Sequence, residues 1–455
     1  VISDSEETFI PSFLEILAMR STALLLAAML MTTSFSAVAK EGELDDRMRV
    51  DESEQVRSPN LAPEPFDDRL LGDLGGLRTT LAEYGVDFGI EYTADFWYVA
   101  DGGLNTGSNY LDNLFLFLDI DGAKAYGIEG NTVRINFLNN NGGHPNNRIG
   151  SIEGIDNIET ETNTFKLYEL WMQQKFYDDR ASVLLGLYDL NSEFFYLDMS
   201  ANFLKPTFEV SQEIAQTGEN GPGVFPTTGL AARLQFNPTE VTYIQAIVME
   251  GEPGNADNPH GTQINLDDDE GVLLVGEIGF TPGVTDAGAF NKFALGVWQY
   301  SQSFDDQLEV DAGGNPIPRD SEGIYALSSY RFYEDETTGQ NFGAFLRGGV
   351  GDGDTAQTKW SYTAGVVAGG WVPNRPEGEF GLGMSQAQNS DKHMDVVAAA
   401  GEASDRRETG LEFYYRDTII PGLILQPDVQ YIINPGTNPE VDNAMAFALR
   451  AALTF

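Results

Sequence analysis

The chain closes on "DNAMAFALRAALTF", residues 442–455, and the fold turns on how this stretch is read. Met445, Phe447, Leu449, Ala451, Leu453 and Phe455 are apolar and stand two residues apart, while Ala446, Ala448, Arg450, Ala452 and Thr454 fill the alternate positions. A period of two defines a strand with two unlike faces. An apolar face running to the last residue, opposite a face that carries an arginine, describes a strand with hydrocarbon on one side and water on the other.

The same alternation recurs upstream in segments of about ten residues, from Gly85 onward. "TVRINFL" (132–138), "GLAARLQF" (229–236), "FALGVWQY" (293–300) and "LILQPDVQY" (423–431) are examples. The breaks between segments alternate in length. Short ones fall at 178–180, 237–240 and 419–421, and long ones at 139–163, 191–225, 250–270, 303–320 and 389–407. About 16 segments, with short turns at one rim and long loops at the other, predict an all-β fold: a transmembrane antiparallel β-barrel with long extracellular loops. Aromatic residues cluster at segment ends, at Phe176, Tyr177, Phe236, Phe280, Tyr300, Phe332, Tyr333, Tyr431 and Phe455. That placement suits two girdles at headgroup depth. A soluble sandwich or propeller uses shorter strands, and no blade-length repeat is visible.

The beginning of the chain agrees with export. From Met19-Arg20 the sequence gives one positive charge, an apolar run over 23–31, and Ala37-Val38-Ala39 before Lys40. This is the layout of a secretory signal peptide over 19–39, and the run is too short to span a bilayer as a helix. Residues 1–18 read as an upstream extension, 40–65 as a flexible lead-in, and 66–455 as the barrel. Of the 455 residues none is cysteine, which excludes disulfides and thiolate metal sites. The formal charge is −44, and residues 1–39 hold four acids and one arginine, which leaves −41 for the rest. Such a surplus repels nucleic acid and phosphate.

If apolar positions face lipid, their alternates face the lumen. Arg134, Arg233, Arg347 and Arg450 are then inward, each free either to pair with a carboxylate or to meet a solute. In "FKLYELWMQQKF" (165–176), Tyr168, Leu170, Met172 and Phe176 form the better lipid face, which sends Glu169, Trp171, Gln173 and Lys175 inward. Trp298, with Ala294 and Gly296 on its face, is a second inward indole. An indole face beside carboxylate, amide and guanidinium groups suits a neutral sugar, whose ring stacks while its hydroxyls are bonded at the edge. For Arg233 the expected partners are Glu169, Glu193 or sugar hydroxyls. The longest loop opens "YDLNSEFFYLDMSANFL" (188–204) and continues to "ENGPGVFPTTG" (219–229). It is the third long loop and is apolar enough to pack, so it is expected to fold inward and narrow the barrel.

Four stretches resemble the carbohydrate-selective outer-membrane porin family (OprB-type): "LLGDLGGLRTTLAEYGVDFGIEYTADFWYVADGG" (70–103), "LWMQQKFYDDRASVLLGLYDLNSEFF" (170–195), "NGPGVFPTTGLAARL" (220–234) and "LQPDVQYIINPGTNPEVDNAMAFALRAALTF" (425–455). The resemblance implies a sixteen-stranded pore in the outer membrane of a Gram-negative bacterium, passing monosaccharides and related small solutes by facilitated diffusion. It also implies an inward third loop, with charged and aromatic residues selecting neutral sugars at the constriction. Asp189, Asn191 and Glu193 join the candidate pore-lining set through the matching loop motif. The expected partners are small sugars, outer-membrane lipid and lipopolysaccharide, and the barrel-assembly machinery through the strand ending at Phe455. A homotrimer is left open, and no cofactor, metal or nucleic acid is expected.

The rival reading is a general or cation-selective porin, favoured by the carboxylate surplus and by Asp267, Asp268, Asp269 and Glu270 near one mouth. An enzyme is disfavoured. The histidines are His144, His260 and His393, and neither a G-x-S-x-G elbow nor paired metal-ligating histidines occur.

Overall fold

The structure, a computed structural model, describes residues 66–264, 270–282 and 289–455. The expected extension, signal peptide and lead-in, and the acidic run 265–269, lie outside the described residues. Among the described residues sixteen strands follow in order: β1 (Val86–Asp101), β2 (Gly107–Asp121), β3 (Asn131–Gly142), β4 (Thr164–Phe176), β5 (Ala181–Tyr188), β6 (Gly229–Thr239), β7 (Thr242–Glu250) and β8 (Val272–Phe280) form the first half. β9 (Ala289–Val310), β10 (Pro316–Asp335), β11 (Gln340–Gly351), β12 (Thr358–Gly369), β13 (Glu379–Asn389), β14 (Arg407–Ile420), β15 (Leu423–Ile433) and β16 (Ala444–Thr454) complete it. Each pairs antiparallel with its chain neighbours, and β1 closes on β16. Closure leaves no sheet edge, which is what a strand in hydrocarbon requires.

The final strand behaves as its pattern dictates. Phe447 and Leu449 are exposed on the outer wall, whereas Ala446 and Ala448 are buried inside. Arg450 points inward opposite Asp95 of β1 in the closing ladder. The seam is secured at the turn rim: the Phe455 amide donates to Ile90, and buried Arg78, from the short helix Leu77–Glu83, donates to the Phe455 carbonyl.

Three expectations are corrected. Residues 303–320 are not a long loop, because β9 and β10 run on as a hairpin that turns only at 311–315. Asp311 forms that turn by accepting from the amides of Gly313 and Asn315. Apolar alternation stops there because the covered face of the hairpin meets polar partners: buried Asp306 accepts from Arg319 and Lys392, and Gln307 donates to the carbonyls of Gly353 and Ala356. Tyr300 does not belong to a girdle; it is 1% exposed and faces inward against Trp298, with ring centroids 6.3 Å apart. Tyr168 does not face lipid either. The β3–β4 register shifts between Asn136 and Phe137, so β4 bulges there. A bulge places two successive residues toward one side. Tyr168 and Glu169 are accordingly both buried inside.

The loop between β5 and β6, residues 189–228, fills much of the interior. Phe194, Phe195, Phe203, Phe208 and Ile214 are fully buried in it. Phe195 stacks on Tyr325 of β10 at 3.8 Å between ring centroids, and Phe203 packs on Phe208, Phe345 and Tyr414. Room for such rings comes from inward glycines: a Cβ at Gly296 would lie 2.0 Å from the Tyr325 ring. The inward third loop is therefore a packed core against the far wall.

Candidate functional site

Two kinds of inward charge can be told apart by what covers them. Arg233 (β6) is fully buried, and its guanidinium is consumed by neighbours. Nε and Nη2 donate to the two Glu193 oxygens at 2.8 and 2.9 Å, Nη2 also reaches Gln173 Oε1 at 2.6 Å, and Nη1 donates to Ser182. Glu193 additionally accepts from the Tyr188 hydroxyl at 2.8 Å. Of the alternatives left open by the sequence, the partner is Glu193, so Arg233 fastens the start of the third loop to the wall.

Arg347 (β11) does the same at the loop's middle. It is 1% exposed, with Nη2 donating to Ser200 Oγ at 3.2 Å and Nη1 lying 3.5 Å from the Thr207 carbonyl. Trp298 is buried on the same far wall, away from the other candidates, and its Nε1 has no partner among the described residues. Asn191 also serves the loop, donating to the carbonyls of Phe194 and Glu209. Asp189 accepts from the Asn191 amide at 2.8 Å and from the Tyr168 hydroxyl.

Arg134 (β3) and Arg450 (β16) differ, because their side chains keep 20% and 13% exposure. Arg134 donates from Nε and Nη2 to the two Asp119 oxygens, each at 2.7 Å. Arg450 donates from Nε and Nη2 to Asp95 at 2.9 and 2.6 Å, and from Nη2 to Asn157 at 2.6 Å. In both cases Nη1 has no hydrogen-bond partner among the described residues. A carboxylate thus fixes the plane of each guanidinium and leaves one donor edge free.

Glu169 and Trp171 adjoin Arg134. Glu169 accepts from Trp171 Nε1 at 3.1 Å and from Asn136 Nδ2 at 3.2 Å. The Trp171 ring lies 5.7 Å from the Arg134 guanidinium and edge-on to Tyr188, and is only 2% exposed. Its stacking face is occupied by protein. The structure therefore gathers Arg134, Glu169 and Trp171, which adjoin Arg233 and Glu193 through Gln173 and Tyr188. Arg450 is tied instead to the two inward loops: Asn157, of the loop 143–163, accepts from Arg450 and donates to Glu209 of the third loop at 2.7 Å. Arg347 and Trp298 stay apart.

Several inward groups were not singled out from sequence. Lys205, of the third loop, is fully buried with Nζ 3.2 Å from Glu153 and 3.9 Å from Glu408. Glu412 accepts from the amides of Leu204 and Lys205. Glu277 accepts from the hydroxyls of Tyr243 and Tyr325 at 2.6 and 2.7 Å. Glu277 was open to the alternation argument, since it stands between outward Gly276 and Ile278 in "VLLVGEIGF". Lys205 was not, because no periodicity governs an irregular loop.

Burial leaves a pH signature on the loops. It pushes Glu213, whose carboxylate accepts from Ser361 of β12 with Arg347 nearby, up to about 7. Asp189, facing the Tyr168 hydroxyl and the carboxylates of Glu169 and Glu209, is also pushed up to about 7. An acid raised on docking stabilises the docked loop while it is protonated, and that stabilisation is lost as pH rises through the raised value. Single-channel current noise should therefore grow as pH rises from about 4 to about 7, where the undocked acids are ionised and the docked ones are not, as the third loop loosens. Noise that is flat or falls with pH would contradict this.

Residues 105–455 match the family model described as carbohydrate-selective porin, OprB family. Porin B of Pseudomonas aeruginosa is 25% identical over 422 residues, covering 86% of this chain and 92% of that one. The putative porin QuiX of Acinetobacter baylyi is 22% identical, covering 85% and 93%. The high pH structure of Pseudomonas putida OprB superposes with a TM-score of 0.77 at 22% identity, covering 86% of this chain and 99% of that chain.

Proposed function

The chain belongs to the OprB family of carbohydrate-selective porins, and from that premise we propose that it passes neutral monosaccharides and similar small polyols by facilitated diffusion. It is a β-barrel of the Gram-negative outer membrane, and its family and fold are those of a channel. The solute path is lined by Arg134 beside Glu169 and by Arg450, with Asn157 and Glu209 of the two inward loops next to Arg450. One observation carries it. Each of these arginines is held by a carboxylate yet retains exposure and an unused donor edge.

A neutral hydroxyl accepts from such an edge without displacing the carboxylate. An anion must enter against the surrounding acids, and a cation must pass the two guanidiniums, so both are disfavoured relative to a polyol. Arg233, Arg347 and Trp171 support this passage by fixing the third loop and the wall, not by touching the solute.

Liposome swelling is the test. Vesicles carrying the protein should swell in isosmotic glucose much faster than in an isosmotic salt of two small permeant ions such as potassium chloride. Equal rates would favour the general or cation-selective alternative. Arg134→Ala should weaken glucose block of the current by about tenfold, as expected for a hydrogen bond to a charged donor worth about 1.5–3 kcal/mol. Unaltered block in a folded variant would remove Arg134 from the solute path.

A further inference from the structure

Above the constriction lies a cavity of about 550 Å³, roofed by the loops 143–163, 189–228 and 251–264 and floored by the tops of β3 and β4. Its volume falls within the range of about 300–1,000 Å³ usual for small-ligand sites. Asp156 lines it and also lies 3.4 Å from Arg450 Nη2, so the cavity and the passage described above share this wall residue. Its walls are amides, hydroxyls and a few charges, with proline faces between them and no aromatic ring among the described residues.

Two wall groups point to a ligand. Asn140, on β3, is 1% exposed, and neither Oδ1 nor Nδ2 has a partner among the described residues. A buried amide with both atoms unsatisfied costs stability, and natural proteins keep few of them. Its cross-strand neighbour Asn113 likewise leaves Nδ2 unpartnered. Lys166, on β4, is 8% exposed, with Nζ 3.4 Å from Thr227 Oγ1. An adjacent donor and acceptor on one amide match two neighbouring hydroxyls of a sugar ring, and an ammonium supplies further donors. Glu159 and Glu161, also in the lining, oppose an anionic ligand.

We infer that this cavity is an entry subsite for a neutral sugar, loaded from the long-loop side before the constriction, with Asn140 as its specificity determinant. The inference rests on the sugar-channel reading and deepens it. Recognition here is by hydrogen bonds at the ring edge, because no aromatic face is offered. The orphaned amide is then a stability cost kept for binding.

The test is glucose block of single channels of known orientation in a planar bilayer, for the wild type, Asn140→Leu and Asn140→Ala. Loss of a bidentate amide contact should slow the blocking rate about fivefold when glucose is added on the loop side. The rate from the turn side and the ionic conductance should be unchanged. Asn140→Leu should also melt no earlier than the wild type in heat-modified gel mobility, because it removes an unsatisfied buried amide; a structural role for Asn140 would lower the melting point instead. An unchanged loop-side rate, or an equal slowing from both sides, overturns the inference alone. A wild-type current untouched by glucose from either side overturns the sugar-channel reading and this one with it.

Discussion

Deleting residues 197–219 is expected to raise single-channel conductance several-fold and to abolish discrimination between glucose and small ions. The segment carries Phe203 and Phe208, which pack on Phe345 and Tyr414 across the interior. It also carries Lys205, which fills the space among Glu153 and Glu408, and Glu213, which reaches Ser361. All of these contacts run from the loop to strands β11–β14 or to the loop 143–163, so nothing in the closed hydrogen-bonded wall depends on them. The barrel should therefore survive the deletion with its heat-modifiable mobility intact. The freed lumen would admit water to Glu153, Glu408, Glu412 and Arg347, whose desolvation ends with the loop. A folded deletion variant of unchanged conductance would show that the loop does not narrow the path.

The second large effect is expected at Arg233. Replacing it with alanine leaves the Glu193 carboxylate buried among Tyr188, Gln173 and Gln245 without its counter-charge. Breaking a buried ion pair from one side costs about 3–5 kcal/mol. The cost falls on the junction of the third loop with β5 and β6, so the loop should undock there first. Arg233→Ala channels should show large current fluctuations and lose their folded gel mobility at a lower temperature. Adding Glu193→Gln to Arg233→Ala should restore part of the lost stability, because a neutral amide is cheaper to leave in that pocket. If Arg233→Ala melts with the wild type and conducts quietly, the pair is not what fastens the loop.

What could be read from sequence, and what could not, follows from where a period of two is enforced. In β16 hydrocarbon meets one face and water the other, so Phe447 and Arg450 declared their sides. The same holds for Arg134 beside Ile135 and Phe137, and for Arg233 between Ala232 and Leu234. Inward direction was legible; cover was not. Whether an inward arginine meets a solute or a loop depends on the path of residues 189–228, which no strand pattern fixes. Arg233 and Arg347 therefore looked like Arg134 in sequence and differ from it in the folded protein.

The errors have the same origin. Tyr168 fits the outer face by counting, but one bulge residue reverses the count. Residues 303–320 lose alternation because the covered face of their hairpin is bonded to polar groups, Asp306 to Lys392 and Gln307 to Ala356, and the loss resembles a loop. Tyr300 reads as a girdle residue because it ends an alternating segment, yet its strand continues to Val310, which moves Tyr300 well inside β9. Each error marks a point where the environment no longer differs between two faces, or where register is set by a feature one residue long.

The most direct measurement of the central claim is the ionic current through single wild-type channels in a planar bilayer as glucose is raised through the millimolar range. The account predicts a concentration-dependent, saturable fall in current, as a sugar held at the Arg134 and Arg450 edges obstructs ions sharing the passage. A current that follows only the change in bulk viscosity, with no saturation, would contradict it and leave a water-filled pore with no site for sugar.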